Sequence, residues 1–232
     1  MCSSYLKRLH EKRVNFITLE FFLLGIATLL PWNVFISAVS YFELRFCGSL
    51  FSGIFSNLFS FGFSLFSIFG LLVCLKYGVE ISQKAKIALG LLALFVVFCL
   101  FFALSFVGNI QSLLFFILCM LSLGLVSMAG AVLESGAVGL ANRYPSDAVQ
   151  AVLIGQALVG LVVTVINLIS VWQSNEMVES ALESCPGNTI DIDSTSDEKV
   201  CSEYEFDEGI AAYFMSPMFI ILIGLLGFYL TR

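Results

Sequence analysis

Apolar residues fill this chain in long unbroken blocks, without the alternation of a strand or the single stripe of a soluble helix. No charge occurs from Phe46 to Leu75, from Ala148 to Asn175 or from Gly209 to Thr231, and another apolar run covers Phe21 to Phe42. From Ile87 to Leu133 there are 47 residues without a charge. A transmembrane helix needs about 20 apolar residues to cross roughly 30 Å of hydrocarbon, so four of these blocks predict single spans and the longest predicts two. Gly108-Asn109-Ile110-Gln111 supplies the one polar break in that block, a helix-breaking glycine with two amides. The pattern predicts six helices, at about 17–40, 51–75, 87–107, 112–141, 148–172 and 210–231.

Composition agrees with the pattern. The chain is 59% hydrophobic and 12% charged, with a mean hydropathy of +0.98, which places it among integral membrane proteins. The fold class expected is all-α, a polytopic six-helix membrane bundle. The first run is too long, and its flank too polar, for a cleaved signal peptide, so it is expected to remain as the first span. Lys7, Arg8, Lys12, Arg13, Lys76, Lys84, Lys86, Arg143 and Arg232 fall on one side of these spans, against Arg45 and Lys199 on the other. Short cytoplasmic loops are the ones enriched in lysine and arginine, so both termini are expected in the cytoplasm. This organisation divides the chain into a basic N-terminal tail at 1–16, a five-span bundle at 17–172, an acidic external loop at 173–209, and a sixth span with a cytoplasmic end at 210–232.

The net charge of −6 arises mainly from Glu176 to Glu208, which holds eleven of the seventeen acidic residues. Rich in Ser, Asp and Glu, this segment reads as a solvated loop, and its spacing is unlike a calcium-ligating loop. Cys185 and Cys201 lie in it and could form a disulfide on an oxidising face, with Cys47 as a competing partner. The single histidine, His10, lies in the N-terminal tail. No metal-ligand spacing, nucleophile-base pair or phosphate-cradling loop occurs, so the reading is of a protein that is not an enzyme, uses no cofactor or metal, and binds no nucleic acid.

The polar residues inside the spans are few. Glu134 is the one charge between Ile87 and Asn142, and an ionisable side chain at membrane depth usually faces a bundle interior or a cavity because the alternative costs about 2.5 kcal/mol or more. It reads as a ligand or proton contact, or else as a neutral group bonded to a neighbouring helix or reaching water at the membrane edge. Glu20 reads as an interfacial charge able to pair with a residue such as Arg13. The second span places Ser52, Ser56, Ser60 and Ser64 on one helix stripe beside a phenylalanine stripe; small residues at this spacing serve close helix packing, or with Asn57 would line a polar path. In the first span Pro31 removes a helical hydrogen bond next to Trp32 and Asn33, either kinking the helix around a packed indole or turning a polar surface inward. Gly155-Gln156-Ala157-Leu158-Val159-Gly160 is a close-packing surface that carries one amide.

Two segments together carry a family likeness. Gly25-Ile26-Ala27-Thr28-Leu29-Leu30-Pro31-Trp32-Asn33-Val34-Phe35-Ile36-Ser37-Ala38, followed by Tyr41-Phe42, resembles the first-span signature of the equilibrative nucleoside transporters. The stretch from Gly130 to Gly160, with Gly139-Leu140-Ala141, Pro145 and Gly155 to Gly160 in order, is similar to that family's fourth and fifth spans. The resemblance implies one lobe of a major-facilitator-like transporter, the N-terminal six of eleven spans, with a substrate cavity between two halves. It further implies that Leu29, Trp32, Asn33, Ile36, Gly130 and Glu134 face the substrate, and that Pro31, Gly155, Gln156 and Gly160 shape or pack the helices around them. Many members carry a glutamine where Glu134 stands, so substrate preference here is open and proton coupling enters as an option. The external loop is longer and more acidic than the family pattern.

The function expected is transport of nucleosides or nucleobases, by facilitated diffusion or coupled to protons, in the plasma membrane or an internal organelle membrane. The groups that would face Glu134 across the cavity are not among these spans, so a second transporter half, a homo-oligomer or residues beyond Arg232 are expected to supply them, with the lipid bilayer as a further partner. The competing expectation is a non-transporting assembly or regulatory protein, a truncated or decayed relative acting through its small-residue helix faces.

Overall fold

The computed structural model describes residues 2–46, 48–78, 80–107, 110–173 and 208–230. They form helices α1 (Cys2–Ser37), α2 (Val39–Phe46), α3 (Phe55–Tyr77), α4 (Gln83–Ser105), α5 (Ser112–Ala141), α6 (Ser146–Gln173) and α7 (Glu208–Leu230). Six of them are long and apolar enough to cross a membrane, α1 doing so from Phe16 to Ser37. The fifth helix coincides with its predicted bounds, and α4 ends at Ser105, ahead of the break read from the sequence. Cys47, Cys185, Cys201 and nearly all of the acidic loop lie outside the described residues, as do the side chains of the basic N-terminal tail.

The long helix α5 is the axis of the bundle, packing against α1, α3, α4 and α6, while α7 closes the far side against α1, α4 and α6. Its length and its small residues explain the position: Gly124, Gly136 and Gly139 admit Phe66, Lys86 with Ile87, and Gln83 respectively, at distances that a methyl group would contest. The glycines of α3 and α4 act likewise, Gly70 lying against the Met128 backbone and Gly90 against Leu133. Side chains facing away from these contacts are leucine, isoleucine, valine and phenylalanine, as at Leu65, Leu72, Leu92, Leu161 and Ile223, the surface that lipid requires.

At one end of the bundle the phenylalanines form a packed cluster. Phe42, Phe46, Phe55, Phe59, Phe101 and Phe115 are buried, with Phe42 edge-on to Phe59 at 5.2 Å and Phe46 tilted on Phe115 at 5.4 Å. Arg45 closes that cluster. Its guanidinium donates to the carbonyls of Leu104 (3.0 Å) and Val107 (2.6 Å) at the end of α4, and it lies over the rings of Tyr41 and Phe115 at 5.5 and 5.3 Å. A helix C-terminus attracts a cation, and a single guanidinium nitrogen, Nη2, bonds both carbonyls there.

Three sequence expectations change. Lys86, read as a charge in a loop, is buried at 5% exposure in the first turn of α4. Its ammonium donates to Ser135 Oγ at 3.4 Å and lies beside Gly78, where α3 ends; a second helix C-terminus thus takes a cation. Glu20, read as an interfacial charge, is also buried, at 8% exposure. On α3 Phe55 and Phe59 face the core and the serines do not: Ser56, Ser64 and Asn57 are exposed, as is Ser52 in the turn before the helix. Packing falls instead to Gly62 and Gly70, against Met120 and Met128 of α5.

Candidate functional site

The first helix sets the geometry. It continues as a helix through Pro31 to Ser37, and the carbonyl of Val34 accepts both the backbone N–H of Ala38 (3.1 Å) and the buried hydroxyl of Tyr213 from α7 (2.7 Å). Below that point α1 crosses α6 at backbone contact. A methyl at Gly25 would stand 2.1 Å from the carbonyl oxygen of Val152, and one at Gly155 would stand 2.2 Å from that of Phe22. Only glycine fits at either position. Gly155 and Gly25 are thus counterparts, each lying against the backbone of the other helix.

This crossing brings three polar side chains together at membrane depth. Gln156 Nε2 donates to Thr28 Oγ1 at 3.1 Å and to Glu134 Oε1 at 3.3 Å, and the Thr28 hydroxyl donates to the carbonyl of Gly25 at 2.7 Å. Thr28 is buried, and Glu134 and Gln156 are half-buried. The carboxyl of Glu134 thus belongs to a network spanning α1, α5 and α6, which meets the cost of holding polar groups away from water. Gly130, one turn before Glu134, leaves room beside α1: a methyl there would meet only the Thr28 carbonyl, at 3.5 Å.

The network continues toward an open surface. Asn33, half-buried, donates from Nδ2 to the carbonyl of Leu29 at 2.9 Å, and its Oδ1 lies where a methyl on Gly160 would approach to 3.4 Å. Leu29 and Ile36, on the same stripe of α1, are 36% and 43% exposed. Trp32 is half-buried and tilts over Phe63 of α3 at 4.7 Å between ring centroids, and the carbonyl of that same Phe63 accepts from Ser127 of α5 at 2.6 Å. Of the residues singled out, Glu134 and Gln156 meet at Thr28 with Gly130 alongside, Asn33 approaches Gly160, and Trp32 packs on Phe63 of α3.

Sequence reasoning missed Thr28, and missed that Gln156 bonds to Glu134. On α6, Gln156, Gly160 and Thr164 recur every four residues, with exposed Thr164 donating to the Gly160 carbonyl at 2.8 Å. That stripe of polar and small residues could have been read by helical spacing alone. Among the described residues, no three of His, Cys, Asp and Glu come together as a metal site.

A helical bundle with six apolar spans and a polar junction at their centre is a multi-pass integral membrane protein. The chain is related to the equilibrative nucleoside transporters over about three quarters of its length. Residues 120–183 match the family model described as nucleoside transporter. The chain is 30% identical to mouse equilibrative nucleoside transporter 1 over 203 residues, covering 74% of this chain and 43% of that protein. It is 29% identical to rat equilibrative nucleoside transporter 3 over 188 residues, 74% of this chain and 39% of that one. To the Arabidopsis thaliana equilibrative nucleotide transporter 1 it is 26% identical over 167 residues, 71% and 36%. The chain thus spans less than half the length of these relatives, which are transporters and not enzymes.

Proposed function

We propose that this chain forms one lobe of a carrier for nucleosides or nucleobases, with Leu29, Trp32, Asn33, Ile36, Gly130 and Glu134 facing the substrate. The observation that carries the reading is the meeting of Glu134, Gln156 and Thr28 at membrane depth, beside an open surface at Asn33, Leu29 and Ile36. A helix face that ended in lipid would not retain an amide and a carboxyl there. The relatives' names supply the substrate class. In this reading the second lobe comes from a partner, another copy of the chain or residues that follow Arg232, both termini are cytoplasmic, and alternating access exposes the junction to each side in turn. The alternative, an assembly protein acting through small-residue faces, has less support, because Gly25 and Gly155 are already spent on contact within the bundle.

The test is exchange of labelled nucleosides and nucleobases in liposomes holding the purified chain, alone and with a second transporter half. Saturable exchange that weakens in Glu134→Gln is the expected result, and a parent without exchange in any combination would refute the proposal. Proton coupling is read from the same assay. If Glu134→Gln exchanges substrate with the parent's pH dependence, Glu134 is not the proton site.

A further inference from the structure

We propose that Gln156 is a positioning residue for Glu134, that Thr28 dictates its orientation, and that the Glu134–Gln156 pair thereby offers a ligand only hydrogen-bond acceptors. The inference rests on the junction being the substrate site. The hydroxyl of Thr28 has one proton, and it is given to the Gly25 carbonyl at 2.7 Å. Its oxygen can then only accept. The end of the Gln156 amide that faces Thr28 must therefore be the NH2 group, and the same nitrogen lies 3.3 Å from Glu134 Oε1. A flipped amide would set an acceptor against an acceptor at Thr28. The chain of donors thus runs in one direction, from Gln156 outward to both partners, and each amide hydrogen is committed.

What remains follows by subtraction. Glu134 Oε2 makes no hydrogen bond among the described residues, and neither does Gln156 Oε1. As a carboxylate, Glu134 presents an acceptor there, and so does the Gln156 amide oxygen. A ligand that engages this pair must bring O–H or N–H hydrogens to it, as sugar hydroxyls and exocyclic amines do, and gains nothing from the pair through a ring carbonyl or a phosphate. In a lobe with glutamine in place of Glu134, an amide could offer either end; the carboxyl removes that choice.

The test has a spectroscopic and a binding arm, both on the purified full chain. The infrared carboxyl bands that vanish in Glu134→Gln are assigned to Glu134. Gln156→Met, which keeps the volume and removes the donors, is expected to shift them. Thr28→Val, which keeps the shape and never touches Glu134, is expected to shift them too, because the amide is freed to turn, while Thr28→Ser keeps the parent's bands. A purely structural role for Thr28 predicts no such relay. In equilibrium binding of labelled adenosine, purine riboside (lacking the amine) or 2′,3′-dideoxyadenosine is expected to compete about tenfold more weakly than adenosine, the scale of one lost hydrogen bond to a charged or buried group. Bands unmoved in Gln156→Met or Thr28→Val overturn the positioning role, and equal competition by all three nucleosides overturns the acceptor-only character of the Glu134–Gln156 pair. If Glu134→Gln binds adenosine as the parent does, the substrate site itself lies elsewhere, whatever the bands show.

Discussion

Replacing Gly25 by alanine should separate α1 from α6, and its cost can be estimated from their crossing. The new methyl would stand 2.1 Å from the Val152 carbonyl oxygen, where ordinary contact begins at 3.4 Å. The obstacle is backbone and cannot rotate away, so the helices must part by about 1.3 Å, a gap that forfeits about half or more of the dispersion energy of each atom pair it opens. Overpacking of this kind costs about 1–3 kcal/mol. The same movement would stretch the 3.1 Å bond between Gln156 and Thr28 to about 4 Å, beyond hydrogen-bond range, at about 1 kcal/mol more for an interhelical bond in a membrane. The expected loss is roughly 2–4 kcal/mol in unfolding free energy, read by titrating the protein with a denaturing detergent in mixed micelles. Gly130→Ala, whose methyl meets only one atom at 3.5 Å, and Gly224→Ala, with nothing within 4 Å, should each stay within about 0.5 kcal/mol of the parent. Gly155→Ala should match Gly25→Ala, and the double variant should cost clearly less than the sum, since the first methyl has already opened the crossing for the second. Gly25→Ala unfolding at the parent's midpoint, or strict additivity in the double variant, would refute a backbone-contact crossing.

Two further substitutions address the ends of the helices. Arg45→Gln removes two hydrogen bonds from a charged donor and two ring contacts, for an expected loss of about 2–4 kcal/mol in the same titration. Arg45→Lys should recover less than half of it, because an ammonium lacks the flat guanidinium face that lies over the Tyr41 and Phe115 rings; full recovery would mean that charge alone matters. Tyr213→Phe deletes the bond to the Val34 carbonyl while that carbonyl keeps the Ala38 N–H. About 1 kcal/mol should be lost, with faster hydrogen exchange at the backbone from Val34 to Phe42, and unchanged exchange there would show that α7 does not steady α1.

The spans were legible because hydropathy is a local property and each span is a block of it. The limits of α5 and the break at 108–111 were readable for the same reason. Charges beside the spans were misread where folding buries them: nothing near Lys86 in the chain announces that Gly136 and Ser135, half a hundred residues on, make a place for it. The serine stripe of α3 was legible as a stripe but not as a direction, since both of its faces could pack; the phenylalanines took the core because they bury far more area. At the candidate site, Glu134 stood out by cost alone. Its partners did not, because Thr28 and Gln156 are 128 residues apart and no pattern of period 3.6 links one helix to another.

The distances in sequence over which these contacts form also set an order of assembly. Lys86 ties α3 and α4 to α5 across 49 residues, and Arg45 ties α2 to the end of α4 across 59 and 62. Both clasps can close once α5 has been synthesised. The bond between Thr28 and Gln156 spans 128 residues and that between Tyr213 and Val34 spans 179, so neither can form until α6 and α7 follow. Because a chain folds from its N-terminus as it is made, the α3–α5 unit can be tied at both ends while α1 waits for its partner. The polar junction at Glu134 is then among the last parts of the bundle to be built, and a chain stalled after α5 would hold a clasped scaffold with the carboxyl still lacking its glutamine.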